Sequence, residues 1–289
     1  MELLRIKLKQ NKAHYRKEET IDNKMTYPLP PFSTIIGALH RACNFTEYHP
    51  MRVSVQGKYK TLTQQVYTDY TFLNSINDDR GILVKVENPK CLSAGFVRVA
   101  EALKPQGNSF VKEETIMVLN RALLDEYKYL KENDSKSKEL EKYKTLVTAL
   151  KRYEVLHEVE PVIHIAGDRE LLETIEKNIY NLKALGRSED FVDVEEYGIV
   201  NTQEIDEEKT LMSSYTIYAN YEDVKNKIGY IKTDRKNIGG TLYYINKDYK
   251  IVKKKREFNK IKVIYGSKYE IIKENEHSYW DGKYVISLN

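Results

Sequence analysis

Apolar and charged residues alternate from the start of the chain. Leu4, Ile6 and Leu8 interleave with Arg5, Lys7 and Lys9, a period-2 pattern that predicts a half-buried strand. The segment Asn11 to Lys17 reads as a basic loop, and Pro28, Pro30 and Pro31 stop regular structure after it. Ser33 is placed to cap a helix whose Ile35, Ile36, Leu39, Ala42 and Cys43 share one face, ending before Pro50. Alternation over 52–60 and 63–72, hinged near Gly57, predicts two strands, and 82–86 with 95–99 reads as a hairpin turned around Asn88-Pro89-Lys90. Leu119, Leu123, Tyr127 and Leu130, then Leu140, Tyr143, Val147 and Leu150, recur at helical spacing and predict a helical hairpin. Strand periodicity returns at 155–165, an amphipathic helix is predicted over 170–182, and 190–197 reads as a strand. From Thr210 onward the pattern is β-rich, with turns at 237–240 and 265–267.

With about 74–153 set aside as an insertion, the order is strand, helix, strand, strand, helix, strand. That is an α+β, ferredoxin-like split βαβ core, the frame also used by RNA-recognition domains. The expected organisation is a core over 1–200 carrying the insertion and a β-rich C-terminal region over 201–289, divided near the acidic run 204–209.

Composition narrows the chemistry. The 289 residues are 41% apolar and 31% charged, so the chain has enough apolar material for a folded core. The longest uncharged stretch, Met25 to His40, is too short and too rich in proline to span a membrane. The N-terminus lacks an apolar signal core, which makes the cytoplasm the expected location. Two distant cysteines, Cys43 and Cys91, fit a reducing compartment. A net charge of +4 hides a segregation into a basic front (residues 1–60), an acidic stretch (187–210) and a basic segment (247–273). The basic segments suit a polyanion and the acidic one a basic protein partner.

No metal or cofactor is expected. His40 and Cys43 lie one helical turn apart but no second pair completes a zinc site, and no Gly-Lys-Ser/Thr sequence exists for a phosphate-binding loop. Asp168 and Glu170 precede a helix and are read as capping it. Metal-free RNA cleavage would need only acid and base groups, for which His14 beside Tyr15 is the local candidate. The binding reading of the same segment is fuller. Lys12, Arg16 and Lys17 can neutralise phosphates, His14 can hydrogen-bond RNA, Tyr15 can stack on a splayed base, and Ser33 and Thr34 open a helix whose free N–H groups favour anions.

Two segments carry a more specific signal: Tyr27-Pro28-Leu29-Pro30-Pro31-Phe32-Ser33-Thr34-Ile35-Ile36-Gly37-Ala38-Leu39 and Leu185-Gly186-Arg187-Ser188-Glu189-Asp190. Together they resemble the CRISPR-associated RAMP protein at the 5′ foot of type I Cascade, family five of the CRISPR-associated proteins, in its I-B branch. The resemblance implies a subunit that holds the 5′ handle of CRISPR RNA in antiviral defence. It implies contacts with the large and backbone subunits of the ribonucleoprotein complex, and with target DNA only through that complex. A thumb inserted between the second and third core strands is also implied, here Gly81 to Val99 with Lys85, Lys90 and Arg98. Arg41, Gly186, Arg187 and Ser188 complete the expected RNA-binding set. One branch of the family cleaves repeat RNA with Tyr, Lys and His, the last two adjacent; no Lys-His dipeptide occurs here, so a non-catalytic role is the expectation. The alternatives are a metal-independent endoribonuclease and a scaffold that touches only protein.

Overall fold

A computed structural model describes residues 1–20, 23–73, 82–86, 116–118, 121–205, 210–231, 239–252, 255–271 and 275–289. The elements that position the site are β1 (Glu2–Ala13), α1 (Phe32–Ala42), β2 (Arg52–Lys58), β3 (Tyr143–Ala166), α2 (Arg169–Lys177), β4 (Asp193–Asn201), β5 (Thr216–Asn220), β6 (Thr241–Val252) and β7 (Lys255–Gly266). Their order in the main sheet is β6-β7-β5-β2-β3-β1-β4. The inner run β2-β3-β1-β4 is antiparallel at every junction, with β1 registered on β3 through Leu4–Ile165 and Ile6–Ile163. This is the ferredoxin-like arrangement expected from the element order, in an α+β chain.

Alternation decides what each face of this sheet packs against. Leu4, Ile6, Leu8, Val53, Val55, Ile163 and Ile165 point to one face and form a single apolar cluster with Ile35 and Leu39 of α1 and Leu171, Leu172 and Ile175 of α2. The residues between them point the other way, toward the C-terminal segment. There Ile286 and Leu288 pack on Leu3 and Ala166, the Gln56 amide donates to the Val285 carbonyl at 2.7 Å, and the Ser54 hydroxyl accepts from Ser287 N at 3.0 Å. His164 is fully buried on this face. Its Nε2 lies 2.9 Å from Asp281 Oδ2, which also accepts from Arg5 at 2.9 Å. The sheet face that RNA-recognition domains leave open for bases is therefore covered by this chain's own residues 278–289.

Contacts divide the chain into two compact units, Met1–Gln65 with Tyr153–Val252 and Arg256–Asn289, and Val66–Arg152 with Lys253–Lys255. β5 pairs with both β2 and β7, so strands from before and after residue 200 share one sheet and one compact unit. In the second unit the strand Ile82–Val86 pairs with Ile116–Val118 on one edge and with residues 143–146 on the other. The residues expected to complete a hairpin with this strand, 95–99, lie outside the described residues. The helix Arg121–Asn133 matches expectation, but its partner does not. After a short 3-10 turn, Lys138–Lys142, the chain enters β3, because Thr145, Val147 and Thr148 are β-branched and Tyr143 to Leu146 complete the ladder on 82–86.

Two local expectations also change. β1 runs to Ala13, so Lys12 is a strand residue and the loop is shorter than expected. The N-cap of α1 is Pro31, and Ser33 lies inside the helix without capping it. Asp168 does cap α2, its carboxylate accepting from Leu171 N at 2.8 Å.

Candidate nucleic-acid interface

Where β1 ends, its side chains build a loop that is distant in sequence. The Gln10 amide donates to the carbonyls of Leu185 and Asp190, both at 2.9 Å, and its oxygen accepts from the Tyr15 hydroxyl at 2.5 Å. His14 N donates to Asp190 Oδ2 at 3.0 Å. Asp190, fully buried, also accepts from Arg187 N at 2.9 Å and from the Arg187 guanidinium at 2.7 Å. Gly186 has φ +111°, and a Cβ there would stand 2.9 Å from Asp190 Oδ2 and 3.0 Å from the His14 carbonyl, so only glycine fits. The segment Leu185 to Asp190 is thus a rigid loop held from below by Gln10, His14 and Tyr15.

This changes the role of two expected site residues. Tyr15 is 1% exposed and His14 2% exposed. The tyrosine hydroxyl is committed to Gln10 and its pKa is driven up by burial, so it has no face free to stack on a base. The His14 ring takes Nδ1 to the Glu154 carbonyl at 2.7 Å, and burial, more than any neighbour, holds its pKa below the ordinary value. Both residues are structural supports of the loop. The polar sequence around them hides this inward orientation.

The supported loop faces α1 across a cleft of about 780 Å³. Ser33, Thr34, Gly37 and Arg41 line it from the helix, Gly186, Arg187 and Ser188 from the loop, Asn181 and Lys183 from the segment just before the loop, and Tyr249 and Phe258 from β6 and β7. Of the sequence-predicted set, Ser33, Thr34, Arg41, Gly186, Arg187 and Ser188 therefore come together, although some 145 residues separate the two groups. Arg41 is exposed, the Lys183 ammonium donates to the Tyr180 carbonyl at 2.7 Å, and the Tyr249 and Phe258 rings meet edge to face at 5.7 Å. Two cations, Arg41 and Lys183, an arginine already ion-paired with Asp190 and Glu189, a pair of hydroxyls near a helix start and an aromatic wall make a lining suited to phosphates and unstacked bases. Lys183, Tyr249 and Phe258 carried no sequence signal; only the tertiary fold brings them to α1.

Gly37 is the informative residue of the lining. A glycine inside a helix costs about 1 kcal/mol relative to alanine. Here a Cβ would meet nothing within 4 Å, so no packing inside the protein requires its absence. What it leaves free is the cleft.

The remaining expected contacts lie elsewhere. Lys12 is exposed on β1, Arg16 is exposed beyond its end, and the Lys17 ammonium lies over the rings of Tyr27 and Tyr243 at 5.6 and 5.3 Å. None of these lines the cleft. Lys85 pairs with Glu126 at 2.7 Å, while Lys90 and Arg98 lie outside the described residues. Among the described residues no group of three or more His, Cys, Asp or Glu side chains could hold a metal ion, and no helix is long and apolar enough to cross a membrane.

Neither a protein-family model nor a curated protein matches the chain. Several solved structures do. Its structural neighbours are CRISPR proteins. One is a chain of a CRISPR RNA-guided surveillance complex, at 10% identity and a TM-score of 0.43, with 93% of this chain and 90% of that one covered. A second is a CRISPR protein from Archaeoglobus fulgidus, at 10% identity and a TM-score of 0.43, with 99% of each chain covered. A third belongs to the type III-B Cmr-beta complex bound to cognate target RNA and AMPPnP, at 14% identity and a TM-score of 0.35, covering 94% of this chain and 86% of that one.

Proposed function

We propose that the chain is a non-catalytic, RNA-binding subunit of a CRISPR RNA-guided complex of type I Cascade, and that the cleft between α1 and the 185–190 loop holds the 5′ handle of the CRISPR RNA. The observation that carries this reading is the convergence of the two segments behind the family resemblance on one cationic cleft with a bare helix glycine. Arg41, Lys183 and Arg187 would meet phosphates, Ser33 and Thr34 would donate to phosphate or ribose oxygens, and Tyr249 with Phe258 would stack a base. Contacts with the large and backbone subunits, and the thumb, belong to the same proposal. Binding without cleavage is supported by the placement of His14, whose ring is buried beneath the loop instead of facing the cleft.

Gly37 supplies a test in which folding and binding move in opposite directions. Gly37→Ala is expected to raise helix stability by up to about 1 kcal/mol, read by denaturant melts, while weakening handle-RNA binding; Gly37→Leu is expected to abolish binding in a folded protein. Arg41→Glu with Lys183→Glu should weaken binding more than Gly37→Ala does and flatten its salt dependence. Unchanged handle affinity in all three variants would remove the cleft from the RNA path. Handle cleavage in EDTA that His14→Gln abolishes would reinstate the endoribonuclease.

A further inference from the structure

The hairpin β6–β7 reaches beyond the cleft, and its outward surface is unassigned. Its two strands carry six Lys or Arg residues against two acids. Tyr249 lines the cleft, but Tyr244, five residues earlier on the same strand, is 52% exposed beside the exposed Leu242. An odd number of positions separates the two tyrosines, so alternation turns Tyr244 to the face opposite the cleft, the face it shares with Lys250. The ammonium of Lys262 lies over the rings of both Tyr244 and Tyr221, at 5.7 and 5.3 Å, which fixes a cation between two aromatic faces. Lys250 is exposed on the same strand. Of the neighbouring charges, Lys260 is paired with Glu18 and Glu19, and Asp248 accepts from Asn259. β6 is also the edge strand of the main sheet, so no further strand covers it among the described residues.

We infer that the outer surface of this hairpin, with Tyr244, Lys250 and Lys262 as its contacts, is a second nucleic-acid site that takes single-stranded chains irrespective of sequence. Lysines beside an exposed tyrosine are the lining that a phosphate backbone with an unstacked base requires, since the cations meet the backbone and the base offers a face for stacking. A protein partner would be served as well by the apolar side chains, but not by this excess of positive charge. The site is distinct from the cleft and does not depend on recognition of a handle.

The full chain is titrated into fluorescein-labelled 20-mers of mixed sequence lacking any handle, as single-stranded RNA, single-stranded DNA and duplex DNA, across 50–200 mM salt. Single strands are expected to bind more tightly than duplex, and the two single-stranded arms show whether RNA or DNA is preferred. Lys250→Gln with Lys262→Gln should lower the magnitude of the salt slope by about 1.4, at roughly 0.7 per phosphate on single strands. Tyr244→Ala, at an exposed position, should weaken binding about tenfold or more without changing that slope. Melting curves matching the unaltered chain confirm that these variants fold. Affinity and slope unchanged in all variants would overturn the inference, as would duplex binding as tight as single-strand binding. The cleft variants Gly37→Leu and Arg41→Glu should leave the slope contributed by Lys250 and Lys262 intact, so failure of this site and failure of the handle site give different results.

Discussion

The two faces of the central sheet are buried by different chemistry. Toward α1 and α2 the face is aliphatic, with Leu4, Ile6, Val53, Val55, Ile163 and Ile165 in one cluster. Toward the C-terminal segment it is largely polar: Ser54, Gln56 and His164 are buried there with Asp281, and Arg5 and Glu196 extend the network to the rim. An aliphatic face tolerates volume-conserving change. A polar one holds only while each donor and acceptor keeps its partner. The same sheet is therefore plastic on one side and specified on the other.

Removing one partner from the polar face should have the largest effect. Asp281→Ala leaves Arg5 and His164 without their shared acceptor and is expected to cost about 3–5 kcal/mol, against about 2–4 kcal/mol for Ile6→Ala on the aliphatic face, both read by denaturant unfolding. A larger loss at Ile6 would reverse the contrast.

The next effect is on pH dependence. Burial, ahead of all other causes, lowers the pKa of His164 and of His14, so the folded protein keeps both neutral. The unfolded chain takes up these protons near pH 6.5. The unfolded state then binds more protons as pH falls, and stability, greatest above about pH 6.5, declines toward the lowered folded values. Asp281, held below the usual carboxylate range in spite of burial by its bonds to His164 and to backbone N–H groups, adds a further loss in stronger acid. Melting temperatures between pH 8 and 5 should show the decline, and His164→Gln should flatten it; an unchanged slope in that variant would take His164 out of the account.

The smallest expected effect concerns the two helices on the aliphatic face. Asp168→Ala removes a real cap and should cost about 1 kcal/mol, whereas Ser33→Ala should fall within about 0.5 kcal/mol because Ser33 is no cap. Equal costs would mean that the start of α1 depends on the serine after all.

The same contrast governs how much could be read from the sequence. Leu4, Ile6 and Leu8 declare their face by period, and α1 and α2 by theirs, so the order of core elements and the ferredoxin-like frame follow from pattern alone. Gln10, His14 and Tyr15 break the period with polar or amphipathic side chains, and their inward orientation depends on partners some 175 residues away. Leu140, Tyr143, Val147 and Leu150 satisfy a helical spacing, but a strand forms there because the ladder on 82–86 is available, which no local window reveals. Half of the cleft was legible through two short segments. Its aromatic wall was not, since β6 and β7 reach α1 only through sheet order.

The long strand β3 has an architectural consequence. Thr61–Leu73 pairs with it, so the chain leaves the core and returns to it along neighbouring strands. The entrance and exit of the whole excursion are side by side, and closing a longer or shorter excursion changes the entropy only slowly with length. The junction is thus expected to act as a socket, in which a segment of another length could be joined to the same two strands without changing the register of β2, β3 and β1.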